Sequence, residues 1–259
     1  MSLLKMNVDA TSIPELERRY SADGFLKLPA LLTLDELGAI EAELDRYLRE
    51  VTHTLPPTDI VWEKETLPDG SRRVRNLWRM EQYSDFFAQI GHQPELLQLA
   101  GALVHGDPIP TAVEMFAKPA RVGSVVPHHQ DNAYFNLTPP DCFTCWIALD
   151  ASTEENGCVW YARGSHRAPV LPHKASGVAG NSMMADGVTA ALDEVPGLLR
   201  PGDAMLHHCL TLHRSEPNRS ERPRRGLLIV YKGAHTRTDP EGWRAYSAVR
   251  TAMEQTLTS

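Results

Sequence analysis

The sequence predicts an α+β fold, and three observations carry that reading. Residues 34–50 repeat apolar side chains at spacings of three and four, which marks an amphipathic helix. From about residue 111 the texture changes to short β-rich runs punctuated by Pro, Gly and Asn, as in a β-sandwich or barrel. No repeat, linker or low-complexity tract divides the 259 residues. A helical part of about 1–110 and a β part of about 111–235 are therefore read as one domain, 1–259.

The elements follow in order. Pro14 to Tyr20 starts a helix, with Ser12 as its cap and acids in the first turn. Phe25 to Pro29 is a short apolar strand after Gly24. Thr33 caps the helix Leu34 to Glu50, whose Leu37, Ile40, Leu44 and Leu48 form one apolar face. Residues 52–80 read as strand and loop, with a hairpin turn at Pro68-Asp-Gly70. Asp85 to Ile90 and Pro94 to Val104 are helical. Strands are expected at 111–117, 124–130, 142–149, 158–162, 204–208 and 226–232. Residues 170–195, rich in Gly, Ala, Ser and Met, read as a mobile lid.

Composition bounds the function. Lys and Arg number 26 against 33 Asp and Glu, giving a net charge of −7 that lacks the basic footprint of a nucleic-acid binder. No apolar run reaches the roughly 18 residues of a membrane span, and the first ten residues lack a secretory core. The C-terminus is not a Ser-Lys-Leu address, so a cytoplasmic location is expected. Cys142, Cys145, Cys158 and Cys209 sit among apolar neighbours and read as reduced, buried thiols. The expected partner is a small molecule rather than nucleic acid or membrane.

The surplus is in histidine, with 11 residues. His129 and Asp131 flank Gln130 after a strand-like run; in extended chain they point to one face. An imidazole and a carboxylate there are two-thirds of a facial triad that leaves open positions on Fe(II). A second segment runs from the turn Pro201-Gly-Asp203 to His213, 84 residues beyond His129. Arg224, 11 residues further on, lies where the next strand can aim its fork at the metal, and such a fork captures carboxylates.

Ordered motifs across residues 20–232 then agree with one family. His129-Gln-Asp131, Trp146-Ile-Ala-Leu-Asp150, Glu155-Asn-Gly-Cys158, Gly164-Ser-His166 and His213-Arg-Ser215, with Asn218, Ser220 and Arg224, resemble the phytanoyl-CoA dioxygenase family. The opening Tyr20 to Pro29 is similar to that family's N-terminal segment. The resemblance implies a non-haem Fe(II)- and 2-oxoglutarate-dependent oxygenase. Its fold would be a double-stranded β-helix (jelly-roll, cupin-like) with the N-terminal helices packed on one sheet. It implies His129, Asp131 and His213 as iron ligands, and Arg224 on the distal carboxylate of 2-oxoglutarate. Gln130, Ser215, Trp146 and Met115 would be further cosubstrate contacts. O2 would be consumed and succinate and CO2 released as an unactivated C–H bond is hydroxylated. Related halogenases replace the carboxylate ligand to admit chloride, so Asp131 favours hydroxylation.

Other residues have blander readings. His128 faces away from His129 in a strand, and His207 and His208 lack the downstream spacing that marks His213. Cys142 and Cys145 have no second Cys pair and no preceding His-x-Glu, which argues against zinc. Arg73, Arg75 and Arg79 share a face if extended and could recognise an anionic group. Asn132, Tyr134 and Phe135 are the other substrate-contact candidates, with Arg75 and Arg79. The substrate read here is a small polar or anionic metabolite such as an amino acid, betaine, phosphonate or natural-product intermediate. An acyl-CoA or lipid hydroxylase, a non-catalytic metal-binding barrel with a sensing role, and a metal hydrolase are the alternatives.

Overall fold

Local chemistry sets the first helices. A computed structural model describes residues 4–66, 70, 72–121, 125–188 and 191–258. In chain order the elements are α1 (Ile13–Asp23), β1 (Phe25–Leu28), α2 (Leu34–Glu50), β2 (Ile60–Thr66), β3 (Arg72–Leu77), α3 (Asp85–Ile90) and α4 (Pro94–Leu103). Then come β4 (Pro108–Lys118), β5 (Val126–His129), α5 (Asn132–Phe135), β6 (Leu137–Thr138), β7 (Cys142–Ala148) and β8 (Val159–Ala162). They are followed by β9 (His173–Val178), β10 (Asn181–Ala185), β11 (Glu194–Pro196), β12 (Ala204–His208) and β13 (His213–Ser215). The chain finishes with β14 (Arg224–Gly233), β15 (Arg237–Thr238) and α6 (Pro240–Thr258).

Thr33 begins α2 with a reciprocal cap: its hydroxyl accepts from the Glu36 N–H, and the Glu36 carboxylate accepts from the Thr33 N–H at 2.7 Å. The helix buries Leu37, Ile40, Leu44 and Tyr47; Leu48 is only half-buried. Ser12 does not cap α1. A single 3-10 turn, Ala10–Ser12, precedes it, and Asp9 accepts from the Thr11 N–H at 2.9 Å instead.

The strands form a seven-stranded antiparallel sheet, in the order β1-β12-β7-β14-β4-β3-β2, and a four-stranded one, β11-β8-β13-β5. Alternation along β14 divides the interior. Leu227, Ile229 and Tyr231 join the helices in the main core, while Leu228 turns to a smaller cluster with Trp146 and Tyr161. The helices of the first part therefore cover one face of the large sheet, and the other face looks toward the small sheet. Gly226 makes room on β14, because a Cβ there would overlap the Trp146 indole.

Two regions depart from expectation. The described part of residues 170–195, read as a mobile lid, contains the β9–β10 hairpin and β11, strands that the sequence did not announce. The C-terminal helix α6 had no sequence expectation; it packs against α5, β9 and β10. The turn expected at Pro68-Asp-Gly70 lies mostly outside the described residues, as does Ser124.

Candidate metal centre

The two histidines meet because their strands pair. β13 runs antiparallel to β5 with His213 directly opposite His129, and the two imidazole centroids are 4.1 Å apart. Asp131 joins them differently from the expected strand alternation. The strand stops at His129, and Asp131 has helical dihedrals (φ −58, ψ −31) as the cap of α5, where its carbonyl accepts from the Tyr134 and Phe135 N–H groups. The break in the strand swings the carboxylate between the imidazoles.

Each ligand's outer atom is tied. His129 Nδ1 donates to the Pro127 carbonyl and His213 Nδ1 to the Thr211 carbonyl, both at 2.9 Å. That fixes the tautomer and leaves each Nε2 as a bare lone pair. Asp131 Oδ2 accepts from Thr144 Oγ1 at 2.9 Å and from His207 Nε2 at 3.0 Å. Its other oxygen, Oδ1, lies 3.8 Å from His129 Nε2 and 3.5 Å from His213 Nε2. Three donor atoms within 4.8 Å of one another, two neutral nitrogens and one carboxylate oxygen, suit Fe(II) with one face left open. Among the described residues this is the one such group.

Burial sets the charges. Desolvation holds both imidazoles below their usual range, His213 further than His129, so they stay neutral. Burial opposes ionisation of Asp131, but His213, the His207 hydrogen bond and His129 outweigh it and hold the carboxyl well below the usual range. His207 is the residue that sequence reasoning passed over. Only the fold brings it, from β12, onto a carboxylate 76 positions earlier.

The triad opens into a cavity between the sheets that Arg75, Trp146, Tyr161, His207, Ser215 and Arg224 also line. About 80 Å³ of it is open to the centres of water molecules. Arg224 is 4% exposed and stacks over the Trp146 ring, its guanidinium carbon 5.2 Å from the centroid. Its Nε and Nη1 have no hydrogen-bond partner among the described residues. Burial draws its pKa down to about 10, still charged at neutral pH. Two orphaned cationic donors beside a metal triad fit a dicarboxylate that chelates the metal at one end.

Other expected contacts lie elsewhere. Met115 points into the main core; its neighbour Phe116 lines the cavity, so a one-residue step puts them on opposite faces of β4. Gln130 spends its amide on the backbone, donating to Leu210 and accepting from Leu171, and does not line the cavity. The Asn132 side chain closes a loop on Leu137, and Phe135 packs with Leu137 and Cys142. Tyr134 sets its ring edge on His129 and donates to Asn181. Arg79 lies beyond β3 with φ 55 and is paired with Asp59, so it leaves the face of Arg75. His173 accepts from the Gln130 N–H. His128 turns out to Glu194 at 2.9 Å.

Residues 20–226 match the sequence pattern of the family described as phytanoyl-CoA dioxygenase (PhyH). The chain belongs to that family. With the triad in place, this family member is an oxygenase that uses Fe(II), 2-oxoglutarate and O2. It is 29% identical to a methylphosphonate hydroxylase of Gimesia maris over 82% of this chain and 78% of the relative. The epimerase SnoN, solved with Fe3+, alpha ketoglutarate and nogalamycin RO, superposes with a TM-score of 0.72 at 23% identity, covering 92% of this chain and 90% of that one. The peroxisomal phytanoyl-CoA dioxygenase of Rattus norvegicus is 24% identical over 85% of this chain and 69% of its own length. The Mus musculus enzyme of the same name is 25% identical over 82% and 66%. These peroxisomal relatives overturn the cytoplasmic placement expected from the sequence. Among the described residues no helix is long and apolar enough to cross a membrane.

Proposed function

We propose that this oxygenase hydroxylates an unactivated C–H bond of a small polar or anionic metabolite, releasing succinate and CO2. The metabolite is of the amino acid, betaine, phosphonate or natural-product class. In this reading residues 1–259 act as one domain, with the two sheets forming a double-stranded β-helix of the jelly-roll, cupin-like kind. His129, Asp131 and His213 hold the iron. Arg224, with Ser215 and Trp146 beside it, seats the distal carboxylate of the cosubstrate. When bound, iron and 2-oxoglutarate supply oxidising power through decarboxylation of the cosubstrate. The chain orients both: Thr144 and His207 hold Asp131 Oδ2 so that Oδ1 faces the metal, and the buried walls keep water away.

The observation that carries the substrate class is Arg75. It is 6% exposed, lines the cavity, and among the described residues its ion pair is a long one, 3.8 Å to Glu63. With Arg224 assigned to the cosubstrate, a second buried guanidinium favours an anionic substrate. The relative named for methylphosphonate supports that chemistry. An acyl-CoA substrate, suggested by the family name, is the competing reading. The test is a panel of amino acids, betaines, phosphonates and acyl-CoA thioesters scored by succinate release. A small anion should stimulate release, and Arg75→Gln should raise its KM at least about tenfold while leaving 2-oxoglutarate turnover without substrate unchanged. Stimulation by acyl-CoA thioesters alone would overturn this reading.

A further inference from the structure

Lys118 closes β4 and Arg224 opens β14, and the two are direct partners in the antiparallel register. Both side chains border the metal cavity, and both are almost fully buried, at 3% and 4% exposed. Like charges opposite each other on one face of a sheet repel, and burial removes the water that would screen them. Among the described residues no carboxylate lies within ion-pair distance of either.

The position of Lys118 is built. Its Nζ donates to the Glu216 carbonyl, directly after Ser215, and the Asn218 amide donates to the Lys118 carbonyl at 3.0 Å. Gly157, with φ +77, lies against both partners: a Cβ there would run into the Glu216 carbonyl oxygen and come within 3.3 Å of the Lys118 Cδ. Lys118 thus belongs to the Ser215 and Arg224 end of the cavity. Arg75, beside Gly180 of the hairpin, borders the cavity from β3, the strand next to β4.

We propose that Lys118 is a second cation of the seat for the distal carboxylate of 2-oxoglutarate, and that cosubstrate binding draws a proton from solvent onto its amine. The inference rests on the role given to Arg224 above. Among the described residues four groups face the amine: Arg224 from β14, Arg75 from β3, Glu216 after β13 and Cys158 before β8. Burial first, then the two arginines, draw the ammonium down to about 6, while Glu216 and Cys158 pull weakly the other way. Before the anion arrives the amine is largely neutral at pH 7.5, and repulsion with Arg224 is relieved. A carboxylate between the two side chains favours the charged form, so Lys118 takes up a proton as the cosubstrate docks. The linkage has a definite sign. Above pH 6, affinity for 2-oxoglutarate falls as pH rises, by up to about tenfold per unit, until the amine of the complex itself titrates.

The experiment is calorimetric titration of 2-oxoglutarate into the Mn(II)-loaded protein, between pH 6 and 9, in buffers of different ionisation enthalpy. Wild type should take up a fraction of a proton at pH 6 that rises toward about one at pH 8. Lys118→Met should take up none and bind about 10- to 100-fold more weakly at pH 6.5. Lys118→Arg, charged throughout, should bind with no pH dependence in this range. Proton uptake or affinity in Lys118→Met equal to wild type would overturn the inference while leaving the Arg224 seat standing. Failure of the wild type to bind 2-oxoglutarate at all would overturn both.

Discussion

At one end of the cavity His129, Asp131 and His213 have every outer atom tied, to the Pro127 and Thr211 carbonyls and to Thr144 and His207. At the other end Arg224 keeps two buried nitrogens without a hydrogen-bond partner among the described residues, opposite the buried Lys118. The first arrangement is finished except for a metal. Its ligands cannot rotate away, so little ordering remains to be done when iron binds. The second leaves charged donors unsatisfied, which costs stability in the free protein and is recovered only when an anion arrives. The difference teaches where the two kinds of ligand go: a cation to the end that is pre-satisfied, an anion to the end that is not.

The contrast breaks most sharply at the metal end. His213→Ala should abolish iron binding and succinate formation, a loss of more than about 100-fold, whereas His208→Ala should spare both; equilibrium dialysis against Fe(II) reads the difference. The reverse result would mean that the ligand set is wrong. A smaller effect belongs to the outer oxygen of Asp131. Thr144→Val keeps the volume and removes one of its two hydrogen bonds, so iron affinity should fall about tenfold with 2-oxoglutarate affinity changed only through the metal. No loss of iron affinity would mean that His207 alone orients the carboxylate.

What was legible in the sequence was local. The Thr33 cap and the apolar stripe of α2 are set by neighbours in the chain, and the structure has both. The motif carrying His129, Asp131 and His213 was legible because metal chemistry restricts residue types and order. What escaped reading depends on tertiary register. His207 acquires its role only when β12 lies against β7, beside Thr144. Lys118 matters because it falls opposite Arg224, a fact of strand pairing that spacing does not reveal. Met115 and Phe116 show how fine the margin is, since one step along β4 exchanges core for cavity. Gln130 sits between two ligands, yet backbone groups claim its amide. The hairpin β9–β10 has little apolar alternation to announce it, and α6 carries a mixed surface that gains partners from α5 and that hairpin.

The central claim is that one cavity holds a metal at its tied end and 2-oxoglutarate between that metal and Arg224. The direct measurement is an anaerobic titration of 2-oxoglutarate into the Fe(II)-loaded protein, followed by visible absorption, on wild type and Arg224→Ala. Wild type should develop a weak charge-transfer band that saturates. Arg224→Ala should develop the same band only at about 100-fold higher 2-oxoglutarate, with iron content unchanged. No band in iron-replete wild type, or identical titrations for the two proteins, would contradict the account.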